Sequence, residues 1–124
     1  MDFLGIKDKT FLVFGVANKK SVAYSVGQVL AETKAEVVYV VRSPERKESL
    51  SRLLPDADIY ICDVEREHEI KKLAEDIAQK YPKIHGIVHS IAFANYEQGI
   101  KPFHETRKKD FLQSIDISCY SLIS

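Results

Sequence analysis

The apolar positions of this chain follow two different periods. Four short runs are almost continuously apolar: 10–15 (TFLVFG), 36–42 (EVVYVVR), 58–62 (DIYIC) and 86–90 (GIVHS). Runs of this length, rich in β-branched and aromatic residues, predict strands; unbroken apolar character predicts strands covered on both faces. Between them the spacing turns helical. After Ser21, a residue type suited to a helix N-cap, Val22, Ala23, Val26, Val29 and Leu30 recur at helical intervals. Ser43-Pro44 opens a second helix with a stripe of Leu50, Leu53 and Leu54. A third is predicted from about Glu65 to Tyr81, stopped by Pro82, burying Ile70, Leu73, Ala74 and Ile77. Its other face carries Glu67, Lys71, Lys72, Glu75 and Lys80, with several i,i+4 charge pairs. A fourth is predicted from near Thr106 through Phe111, Leu112, Ile115 and Tyr120 to the last residue.

Strands alternating with helices imply parallel strands joined by right-handed crossovers. The predicted fold class is therefore α/β, an incomplete Rossmann-like parallel sheet of about four strands with flanking helices. Residues 1–124 read as a single dinucleotide-binding unit, with no repeat and no linker. In such sheets the fourth strand lies beside the first, which here leaves an apolar strand at the edge. The last helix also reaches its end without Gly or a polar tail. Both features lead us to expect more chain, with residues 1–124 as the N-terminal half of a larger domain.

Composition narrows the function. Lys+Arg and Asp+Glu are equal at 18 each, so the electrostatic case for a nucleic-acid or anionic-membrane partner is missing. No apolar run approaches the ~18 residues of a spanning helix. Asp2, Lys7, Asp8 and Lys9 stand where a signal peptide would be apolar, which predicts a cytoplasmic protein. Cys62 and Cys119 form no CxxC, and His68, His85, His89 and His104 have no metal-ligand spacing on a helix, so no metal site is expected.

The candidate chemistry lies at the strand ends. The first strand runs through Gly15-Val16-Ala17-Asn18-Lys19-Lys20 into Ser21, Val22 and a helix, the place where free N–H groups and the helix dipole receive a pyrophosphate. Only Gly15 of a G-x-G-x-x-G fingerprint is present, so an ordinary βα loop stays open beside the phosphate loop. Ser21 can cap the helix and offer its hydroxyl to a phosphate. Arg42 ends the second strand, with Arg46 and Lys47 close by; an Arg there accommodates the extra phosphate of NADP, and the competing reading is a solvated basic turn. Asp63 can accept from an adenine amino group with Val64 against the ring, or it can be the N-cap of the next helix, or both. His89-Ser90-Ile91-Ala92-Phe93-Ala94-Asn95 places small residues at the end of the fourth strand, near the topological switch point, where a flat ligand fits.

Together, Gly15 through Ala23, Cys62-Asp63-Val64, His89 through Asn95, and Asp116-Ile117-Ser118-Cys119-Tyr120-Ser121-Leu122 resemble the enoyl-acyl-carrier-protein reductases of bacterial fatty-acid synthesis. These form an atypical branch of the short-chain dehydrogenase/reductase superfamily. The resemblance runs from Phe3-Leu4 to the end. It implies that Gly15, Ser21 and Val22 lie along the pyrophosphate, that Asp63 and Val64 hold the adenine, and that Ser90, Ile91 and Ala92 border the ribose and nicotinamide. Arg42 falls where cofactor choice is partly set, giving NADH or NADPH with a lean to NADPH.

The reaction implied is hydride transfer to the β-carbon of a trans-2-enoyl thioester on acyl carrier protein. In the family a Tyr hydrogen-bonds the thioester oxygen, and a Lys seven residues later holds the ribose. Here no Tyr has Lys seven, or four, positions on. The catalytic pair therefore belongs to a following half, no catalytic residue is assigned, and the chain alone is predicted inactive. The complete family member is a homo-oligomer, usually a tetramer. The alternative is a non-catalytic nucleotide-binding or interaction module derived from a short-chain-dehydrogenase half.

Overall fold

The four apolar runs pair as β1 (Thr10–Phe14), β2 (Glu36–Val41), β3 (Asp58–Ile61) and β4 (Gly86–His89). The computed structural model describes residues 2–124. All pairings are parallel, in the order β3-β2-β1-β4. The helices are α1 (Val22–Glu32), α2 (Pro44–Leu53), α3 (Glu67–Lys80) and α4 (Lys108–Ser118), with single 3-10 turns at Phe103–Glu105 and Tyr120–Leu122. The chain divides into two compact units, Met1–Ser90 and Ile91–Ser124.

In the first unit, successive strand residues face opposite sides and build two apolar layers. Val13, Tyr39, Val41 and Ile59 pack with Ala23 and Leu30 of α1 and Leu50 of α2. Leu12, Val38 and Val40 pack with Leu73 and Ile77 of α3, Tyr81 and Cys62. Val13 and Val38, one from each layer, are fully buried. Polar ties close the ends. The Tyr81 hydroxyl and Lys80 Nζ (2.9 Å) both donate to Asp58 Oδ2, joining the end of α3 to the start of β3. Asp58 loses solvation there, but the bonds from Tyr81 and Lys80 outweigh this and hold its carboxyl below the usual range. Thr10 N–H donates to His85 Nδ1 at 3.0 Å, and His85 N–H donates to the Thr10 carbonyl at 2.8 Å.

Several expectations need correction. α1 turns Ala23, Gly27 and Leu30 inward, while Val22 and Val29 are exposed. The reason is Tyr39: a Cβ at Gly27 would lie 2.3 Å from its hydroxyl oxygen, so only the small face of α1 can approach β2. α3 begins at Glu67 instead of Glu65, after a turn at Val64-Glu65, and Ala74 lies outside its buried stripe. α4 begins at Lys108 and ends at Ser118. Cys119 leaves helical geometry (φ −125°, ψ −60°) before the final 3-10 turn.

The second unit contains no buried residue. It is held by hydrogen bonds between α4 and the segment before it. Ser118 Oγ accepts from Phe93 N–H at 2.9 Å and donates to the Phe93 carbonyl at 3.3 Å. Asn95 Nδ2 donates to Asp110 Oδ1 at 3.3 Å, and Arg107 Nε donates to Asp110 Oδ2 at 2.6 Å. The bond from Arg107 holds the Asp110 carboxyl below the usual range. Asn95, Lys101, Arg107, Asp110, Phe111 and Ser114 are among the residues around an open pocket of about 210 Å3 within this unit.

Candidate functional site

Parallel pairing brings the carboxyl ends of all four strands to one edge of the sheet. Along that edge the residues just beyond the strands are, in spatial order, Cys62-Asp63, Arg42, Gly15 and Ser90. Three inter-strand steps span about 14 Å, enough for an extended dinucleotide. Two backbone bonds fix the neighbours: Cys62 N–H to the Val41 carbonyl at 2.8 Å, and Ser90 N–H to the Phe14 carbonyl at 3.2 Å. The switch point, where the crossovers reverse direction, falls between β1 and β4, beside Gly15 and Ser90.

Gly15 has φ +103°, and a Cβ there would lie 1.9 Å from the Ser90 carbonyl oxygen. Both facts exclude a side chain. The loop that follows is shaped by its own polar groups. Ser21 occupies the N-cap position, but its side chain makes no cap bond. Its Oγ instead accepts from Ala17 N–H at 2.9 Å and Asn18 N–H at 3.1 Å. Asn18 Oδ1 accepts from Lys20 N–H at 2.8 Å. With both lone pairs of Ser21 engaged, its hydroxyl has only a proton left to offer, which suits an anionic acceptor. Val22 and Ala23 open the helix, where N–H groups have no intrahelical acceptor.

Asp63 is not the N-cap of α3; Arg66 is. The Asp63 side chain accepts from Glu65 N–H at 3.0 Å, its Oδ2 lies 3.8 Å from Arg66 Nε, and its own N–H donates to Glu69 Oε2 at 2.7 Å. Val64 beside it is half-buried. Burial, then the charges of Glu69 and Asp63, push the neighbouring Cys62 thiol up to about 11, so it is a neutral packing group. Arg42 is exposed at the end of β2; Arg46 is half-buried and gives its N–H to Ser43 Oγ at 3.3 Å. Ile91 and Ala92 belong to the second unit, where Ile91 is half-buried and Ala92 exposed.

Gly27 and Glu69 lie outside the sequence motifs, and those motifs give no bonding role to Asn18 or Ser118. Gly27 had a signal: a glycine inside an apolar helical run points to a packing reason, here the Tyr39 side chain. Asn18 closes a local turn onto Lys20 N–H, whereas Glu69 and Ser118 reach 6 and 25 residues back to backbone N–H groups that spacing does not mark. Among the described residues no group of three or more His, Cys, Asp or Glu could hold a metal ion, and no helix is long and apolar enough to cross a membrane.

A family profile described as enoyl-(acyl carrier protein) reductase matches residues 15–124. The chain belongs to the enoyl-(acyl carrier protein) reductase family. It is 38% identical over 124 residues to the NADPH enoyl-[acyl-carrier-protein] reductase FabI of Staphylococcus aureus (strain NCTC 8325 / PS 47), covering 96% of this chain and 48% of that protein. It is 33% identical over 120 residues to the NADH enzyme FabI of Enterococcus faecalis, again covering 96% and 48%. The Bacillus cereus enoyl-acyl carrier protein reductase, solved with NADP+ and indole naphthyridinone, superimposes with a TM-score of 0.89 at 30% identity, over 95% of this chain and 48% of that one. The chain thus spans about half the length of the relatives it matches. The Rossmann-like parallel sheet read from the sequence is the fold of this reductase family, and these relatives divide between NADPH and NADH.

Proposed function

We propose that the complete protein carrying this chain is a cytoplasmic enzyme that reduces the trans-2 double bond of enoyl thioesters on acyl carrier protein, and that residues 1–124 act as one unit, its cofactor-binding half. NADH or NADPH, when bound, supplies the hydride. The observation that carries this reading is the meeting of Gly15 and Ser90 at the switch point of a sheet whose family is known.

In this reading the Ser21 hydroxyl and the N–H groups of Val22 and Ala23 bind the pyrophosphate beside Gly15. Asp63 accepts from the adenine amino group through a carboxylate already oriented by Glu65 N–H, with Val64 against the ring. Ser90, Ile91 and Ala92 border the ribose and nicotinamide. Arg42 receives the 2′-phosphate, which favours NADPH. The Tyr and Lys that act on the thioester come from outside these residues, since no Tyr here has Lys four or seven positions on. The chain alone is therefore inactive, and the tetramer implied by the resemblance needs the complete protein.

Oxidation of NADPH and NADH with a crotonyl thioester tests this directly. The complete protein oxidises at least one of them; oxidation of neither, with any enoyl thioester, overturns the reading. Arg42→Ala raises the KM for NADPH about tenfold and leaves that for NADH within about twofold. The alternative reading is a nucleotide-binding module without catalysis. Cofactor binding by the complete protein with no turnover would select it.

A further inference from the structure

The segment 116–122 (DISCYSL) carries part of the family resemblance, yet the proposed cofactor contacts give it no task. One of its residues makes an unusual contact. Ser118 reaches across 25 residues and engages both backbone groups of Phe93, accepting from its N–H at 2.9 Å and donating to its carbonyl at 3.3 Å. Such a pair of bonds replaces the two a strand partner would make. Phe93 lies outside regular structure, in 90–102, so its backbone groups have no ladder to join. Two residues on, Asn95 is tied to Asp110 in the first turn of α4, and Arg107 fixes Asp110 in turn. The segment is thus tied near both ends of α4, once at Ser118 and once at Asp110.

We infer that Ser118 is a positioning residue for the reductase reaction: it fixes the backbone of Phe93, and through it the adjoining Ile91 and Ala92. This rests on the proposed function, in which Ile91 and Ala92 border the nicotinamide. Non-directional apolar contacts at a surface tolerate small shifts of a backbone segment. Two hydrogen bonds from one hydroxyl on a helix do not, because both break when that segment moves by about an ångström. Misplacement on that scale lowers the rate of a positioned reaction by up to about a hundredfold.

The test compares Ser118→Ala and Ser118→Thr in the complete protein. Three quantities are read: amide hydrogen exchange at Phe93, kcat, and the KM for NADPH and NADH. Ser118→Ala is expected to speed Phe93 exchange about tenfold and lower kcat about tenfold or more, with cofactor KM within about twofold. Ser118→Thr keeps the hydroxyl and is expected to restore both. Circular dichroism and the thermal midpoint establish that each variant is folded. Unchanged Phe93 exchange in a folded Ser118→Ala protein overturns the clamp. Faster exchange with unchanged kcat overturns the positioning role, and so does a parallel loss in Ser118→Thr. If the unsubstituted protein turns over no enoyl thioester, the functional reading fails instead, and the exchange data still decide whether Ser118 holds Phe93.

Discussion

The two units use opposite means to order a backbone. Residues 2–90 bury two apolar layers against a four-stranded sheet, and residues 91–124 have no fully buried residue and rely on polar side-chain hydrogen bonds such as those of Ser118 and Asp110. Their glycines make the contrast concrete. Gly15 and Gly99 both have positive φ, at +103° and +81°. A Cβ on Gly15 would lie 1.9 Å from the Ser90 carbonyl, whereas one on Gly99 would meet nothing within 4 Å. The same backbone choice is enforced by packing in one unit and by the turn alone in the other. An ordered core leaves no room for adjustment, and a surface turn does.

Substitutions probe that contrast, beginning with the most damaging. Gly15→Ala combines an unfavourable φ with a backbone overlap and is expected to cost at least about 3 kcal/mol in urea unfolding. A loss below about 1 kcal/mol would show that Ser90 can move aside. Val38→Ala removes two methyl groups from a fully buried position and should cost about 2–3 kcal/mol by the same assay.

Alkali attacks the same layer through Cys62. Its folded-state pKa, near 11, lies above the ordinary thiol value. The folded state holds the proton more tightly, so this stabilisation is complete below the unfolded pKa and disappears as pH rises through the folded one. Unfolding measured from pH 8 to 11 should therefore show a loss of about 2–3 kcal/mol that Cys62→Ala lacks. The same burial predicts that a thiol reagent labels exposed Cys119 at once and Cys62 only on unfolding.

Tyr81→Phe removes one of the donors to Asp58 Oδ2 and is expected to cost about 1–2 kcal/mol. In the second unit the effects shrink. Gly99→Ala should cost about 1 kcal/mol. Leu112→Ala, on the exposed side of α4, should stay within about 0.5 kcal/mol for the isolated chain. A larger loss at Leu112 than at Val38 would reverse the comparison.

How much of this was legible in the sequence follows the same division. The strands of the first unit match the apolar runs to within a residue, and the placing of β4 beside β1 is the one expected of such sheets; the full order β3-β2-β1-β4 comes from the structure. The helical spacing of α1 groups Val22, Ala23, Val26, Val29 and Leu30; Ala23 and Leu30 of these are buried, and the size of Tyr39 brings Gly27 inward with them and leaves Val22 and Val29 exposed. At the candidate site, positions at strand ends were readable, since the edge of a parallel sheet gathers them. The bonding of Ser21 and Asp63 was not, because a polar side chain at a loop has several acceptable partners and local sequence does not rank them. Ser118 shows the limit: its partner is 25 residues away, and no period links them.

The parallel register also sets an order in time. β1 meets β2 over a short interval, Thr10 lying opposite Glu36, whereas its other neighbour arrives from far along the chain, with Thr10 and His85 separated by 75 residues. Closing the longer interval costs about 1 kcal/mol more in chain entropy. Loop closure therefore favours pairing of β1, β2 and β3 before β4 docks. Gly15 meets its neighbour Ser90 only when β4 docks, so the switch point is complete only once the chain's longest strand-to-strand interval has closed, and it is lost whenever that edge peels away.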